Sequence, residues 1–100
     1  MRVVSNHEQW DYSEACLTLR GVWQANQVAR AWRELPVWQG VQRVDLSGIT
    51  QMDSSLIALL VELRTRINQT LLLSGVSDVI TSLLGLYEVG SLFFEVEHHE

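Results

Sequence analysis

Between Asp53 and Asn68 the apolar residues Leu56, Leu60, Leu63 and Ile67 fall at i, i+4, i+7 and i+11. That is the period of one helix face, and Glu62 with Arg66 adds an i,i+4 ion pair on it. The flanking segments follow a different period. Val41 to Ser47 carries Val44 and Leu46 at strand spacing, and Thr70 to Ser74 holds the uninterrupted run Leu71-Leu72-Leu73. Such a run suits a central parallel strand covered on both faces. Strand, helix and strand in close succession confine the chain to the alternating α/β class, with parallel strands joined by right-handed crossovers.

The remaining segments extend that order. Glu8 to Tyr12 and Cys16 to Arg20 read as two strands joined by a turn at Ser13-Glu14-Ala15, with Gly21 breaking the second. From Asn26 to Leu35 the period becomes helical. Val28, Ala29, Trp32 and Leu35 form its apolar face, which assigns Trp32 to the core, and Pro36 stops the helix. Ser47 to Gln51 reads as a loop before the Asp53 helix. Ser77 is placed as the N-cap of a third helix with Asp78 in its first turn and Gly90 as its C′ residue. Leu92 to Val96 would be a last strand, and Glu97-His98-His99-Glu100 a polar, frayed tail. The expected order is β-β-α-β-α-β-α-β, a single domain over residues 1–100 with one mixed sheet.

Composition narrows the function. The chain has 100 residues, of which 47% are apolar and 19% charged, so it is globular rather than disordered. All seven basic residues are arginines, against twelve acidic ones, for a net charge of -5. A nucleic-acid binder needs a basic stripe and a membrane-surface anchor a polybasic cluster, and neither is present. The first residues turn polar after Val3-Val4, which does not resemble a signal peptide. The longest apolar run, Leu56 to Val61, is far short of the ~20 residues that span a bilayer. With Cys16 as the lone cysteine, no internal disulfide forms, and the expected location is the cytoplasm.

Catalytic chemistry has little support. His7, His98 and His99 all lie near a terminus, where no packed site holds an imidazole for general-base work. His98 and His99 are adjacent and point apart, unlike the i,i+4 pairs of helical metal sites. No glycine-rich phosphate loop is present. Cys16 lies beside leucines in a strand and reads as a small buried hydrophobe. The chain is thus expected to be no enzyme, with no metal and no cofactor. Trp23 and Trp38 fall near loops, either as rings half-buried over the core edge or as aromatics of a partner interface.

Asp53-Ser54-Ser55 gathers a carboxylate and two hydroxyls where the helix leaves its first N–H groups unpaired. One such residue suffices for a cap. Three in a row admit a recognition or modification site as well, and a phosphoserine there would be favoured by the helix dipole. Ser54, Ala58, Val61 and Thr65 share the side of the helix opposite Leu60. A solvated helix puts charges on such a face. This one is small and uncharged, with Glu62 only at its border. It reads as a docking surface, or as a face covered by the chain's own loops.

The phrase Val44-Asp45-Leu46-Ser47-Gly48-Ile49-Thr50-Gln51-Met52-Asp53-Ser54-Ser55, running on into Leu56-Ile57-Ala58-Leu59-Leu60, resembles the signature of the STAS domain. That family includes the anti-sigma factor antagonists and the small cytoplasmic subunit of Mla-type phospholipid ABC transporters. The deduced element order is similar to the STAS order over the whole chain. The resemblance implies a non-enzymatic protein-binding module. In the antagonist branch Ser55 would be the phosphorylated switch of an anti-sigma factor kinase, and in the transporter branch Ser54 would matter for docking on the ATPase subunit. Where a glycine usually follows the two small residues, this chain has Leu56. The bare single domain, the Ala58-Leu59-Leu60 run and Trp32 at the end of the first helix lean toward the transporter branch. The implied protein binds and stabilises the ATPase of a lipid-transport complex at the inner face of the membrane. Asp53, Ser54 and Ser55 would be the contact centre, flanked by Ala58, Val61 and Thr65.

Overall fold

The computed structural model describes residues 5–6, 9–34, 38, 40–67 and 71–95. Six strands form one sheet in chain order: β1 (Ser5–Asn6), β2 (Trp10–Ser13), β3 (Cys16–Trp23), β4 (Arg43–Met52), β5 (Leu71–Ser74) and β6 (Phe93–Glu95). The pairs β1–β2 and β2–β3 are antiparallel, and every later pair is parallel. Helices α1 (Ala25–Ala31), α2 (Ser54–Ile67) and α3 (Asp78–Leu86) fill the three crossovers. The α/β class, the N-terminal hairpin and the alternation that follows are therefore as expected. The two-residue β1 is an addition, since Ser5 and Asn6 are polar and carry no strand pattern.

Each crossover steps the same way across the sheet, so right-handed connections put all the helices on one face. Contacts of α2 with both α1 and α3 make them a single layer. The strands alternate accordingly. Leu17, Leu19, Val44, Leu46, Leu71 and Leu73 are buried beneath the helices, whereas Thr18, Arg20, Asp45 and Leu72 on the other face are only half-buried. This corrects the expectation that Leu71-Leu72-Leu73 is covered on both sides, because Leu72 is half-buried and the described helices all lie on the other face. An Arg20–Asp11 ion pair of 2.9 Å lies on that open face, where such pairs contribute at most about 1 kcal/mol.

Three boundaries differ from the sequence pattern, each for a local reason. The segment Ser47 to Gln51 is strand rather than loop. Two bulges, after Thr18↔Asp45 and after Gly21↔Ile49, give β4 one extra residue each over the same stretch of β3 and let the ladder run to Met52. Gly21 does not end β3. It takes φ +80 within the strand, which runs on to Trp23. The third helix ends at Leu86, so Gly90 is not its C′ residue. Glu88 takes the left-handed position at φ 58, with Glu88 N–H donating to Gly85 C=O and Val89 N–H to Leu84 C=O, the paired bonds of a Schellman cap. At its start Ser77 Oγ accepts from Ile80 N–H at 3.3 Å, as expected. The hairpin turn narrows to Glu14 and Ala15, both at positive φ, between the paired Ser13 and Cys16.

The tryptophans exchange the places given to them. Trp23 and Trp38, read as loop-edge rings, are fully buried. Each lies 5.8 Å from Trp10 ring to ring, in tilted and edge-on arrangements. Trp32, assigned to the core, is 40% exposed. After Ala31 the helix tightens into a 3-10 turn over Trp32–Glu34. Trp32 N–H still donates to Val28 C=O, so its backbone remains helical while the ring stays partly open beside the buried Val28 and Ala31. Cys16, read as buried, is half-buried at the turn. The expected stop at Pro36, the Glu8, Leu35, Asn68, Thr70 and Val96 boundaries and the polar tail lie outside the described residues.

Candidate functional site

The outer side of α2 lines a groove of about 510 Å³. Its floor is Ser54, Ile57, Ala58, Val61 and Glu62. One wall is Trp32, from the 3-10 turn after α1, and the other is Tyr87 and Val89, from the chain leaving α3. Tyr87 is 48% exposed, so both aromatic walls are open to solvent. The inner side of the same helix buries Leu56, Leu59, Leu60 and Leu63 completely. Burying a leucine stabilises a fold by about 1.5–3 kcal/mol, which holds α2 in one rotational setting and keeps the small residues outward.

The start of α2 is built by Asp53. Its Oδ1 accepts the Ser55 N–H at 2.8 Å, and its own N–H donates to Trp23 C=O at 3.3 Å. The first bond caps the helix, and the second ties the strand-to-helix junction to the end of β3. Capping is thus satisfied by Asp53 without either serine hydroxyl. Ser54 is exposed and faces the groove, whereas Ser55 is half-buried. Leu56, in the position of the family glycine, is buried.

Of the three residues expected at a contact centre and the three flanking them, the fold gathers Ser54, Ala58 and Val61 in the groove. Asp53 and Ser55 sit at its N-terminal end without lining it. Thr65 is exposed beyond the groove, and its hydroxyl donates to Val61 C=O at 2.9 Å. Glu62 is on the border as expected and accepts from Arg66 Nε at 3.0 Å. The aromatic walls were not legible as site residues. Trp32 has the period of a core residue, and Tyr87 and Val89 lay inside a helix expected to continue to Gly90.

A second concavity, of about 560 Å³, runs along β4 from Leu46 to Met52 and is closed by Gly75, Ser77, Val79 and Ile80. It exists because β5 pairs with β4 only as far as Asp45↔Ser74. Gly75, at φ +67, then packs so closely on Ser47 that a Cβ would lie 2.5 Å from that side chain. No charged residue lines this cleft. Asp45 Oδ1 accepts both the hydroxyl and the N–H of Ser47, at 2.7 and 2.9 Å.

Among the described residues neither concavity gathers a nucleophile, a base and its orienting partner. The three histidines lie outside the described residues. Among the described residues no three His, Cys, Asp or Glu side chains cluster as a metal site would need, and no helix is long and apolar enough to cross a membrane.

A family model described as "Mlab, STAS domain" matches residues 6–94. The chain belongs to the STAS family. A search of curated proteins finds no match to the sequence. Among solved structures the STAS chain is similar to the anti-sigma factor antagonist SpoIIAA in its unphosphorylated form. The TM-score is 0.66 at 13% identity, over 88% of this chain and 86% of that one. Identity this low speaks to the fold alone, and the shared fold is the hairpin followed by alternating helices and parallel strands.

Proposed function

We propose that this STAS domain is a non-catalytic docking subunit whose α2 groove seats the ATPase subunit of a phospholipid-transport ABC complex and stabilises or regulates it. The observation that carries this reading is the groove itself. A mostly apolar helix face, with Glu62 as its one described charged residue, lies open between two exposed aromatic rings, in a chain whose matched family model bears the Mlab name. Small side chains let a partner's backbone approach closely, and flanking aromatics are the residues that anchor interfaces. Membrane association would come through the partner, in the cytoplasm, since the described helices are too short to span a bilayer.

The fold of SpoIIAA supports a second reading about as well: an anti-sigma factor antagonist switched by a kinase at Ser55, with Ser54 as the other candidate. The two differ at one atom. Ser55 is half-buried with its N–H held by Asp53, and buried Leu56 follows it. The antagonist reading needs Ser55 Oγ to receive a phosphate, and the docking reading does not.

Co-expression with an ABC ATPase of the phospholipid-transport type and with a serine-kinase anti-sigma factor separates the readings. On the docking reading the ATPase co-purifies and Ser55→Ala is silent. Co-purification of the kinase alone, with binding lost in Ser55→Glu and constitutive in Ser55→Ala, would install the antagonist reading instead.

A further inference from the structure

We draw no further inference here: the strongest candidate, the uncharged cleft of about 560 Å³ along the edge of β4 from Leu46 to Met52 that β5 leaves unpaired, carries nothing because the structure does not show what covers it.

Discussion

The two sides of α2 are made from the same fourteen residues and serve opposite ends. Leu56, Leu60 and Leu63 face the sheet with no exposed surface, while Ser54, Ala58 and Thr65 face out. The inner side is large, apolar and interchangeable in kind with any other core. The outer side is small in its first half, carries the Glu62–Arg66 ion pair further along, and contributes little to folding. A helix needs only one such apolar stripe to hold its place. The other side is therefore free to be shaped by what it meets, and here it is bounded by Trp32 and Tyr87.

The contrast is broken most severely from the inside. Leu60→Asp puts an unpaired carboxylate under the helix layer, at a cost of several kcal/mol, comparable to the 5–15 kcal/mol that holds a domain together. Loss of the cooperative thermal transition is the expected outcome, and a native melt would mean that α2 is rotated from the setting described.

The tryptophans give the next largest effect. Trp23→Ala empties a fully buried site and should destabilise by about 3–5 kcal/mol. Trp32→Ala should lower the melting temperature far less, since its ring is open, yet weaken partner binding by about 1–2 kcal/mol as an interface aromatic does. Denaturant titration paired with calorimetric binding reads both. Equal destabilisation by the two would remove Trp32 from the groove wall.

Ala58→Arg sharpens the comparison from the outside. The side chain starts from an exposed position, so stability should move by no more than ~0.5 kcal/mol. In the groove an unpaired cation should cost about 2–5 kcal/mol of association, a loss of tens- to thousands-fold in affinity. Unchanged affinity for the ATPase would show that the partner sits elsewhere.

The smallest effect is expected at Thr65→Asp. Its position is exposed and past the end of the groove, so both stability and binding should stay within ~0.5 kcal/mol of the parent. A binding loss comparable to that of Ala58→Arg would extend the interface one turn further along α2.

Much of this division was legible in advance. The helical period of Leu56, Leu60 and Leu63 separates the inner from the outer side of α2, because a helix turns by a constant angle per residue. Ser77 as a cap and the hairpin at Glu14-Ala15 are equally local. Part of the groove floor was legible for the same reason: Ser54, Ala58 and Val61 share a face by spacing alone. Asp53, Ser55 and Thr65 do not line the groove, because a concavity depends on where its walls end.

By itself, then, the sequence determined the three helices, strands β2 to β6, their order and which side of α2 faces inward, since these follow from backbone period and side-chain polarity within a few residues. Only the tertiary structure decided the groove. Trp32, at the end of α1, forms one wall, and Tyr87 and Val89 reach theirs because α3 stops at Leu86 with Glu88 in a left-handed turn. The length of β4 was likewise set by its own two bulges, which let its ladder with β3 run to Met52. The groove and the long ladder bring together segments distant in the chain, and that packing outweighs local preferences of a few tenths of a kcal/mol per residue.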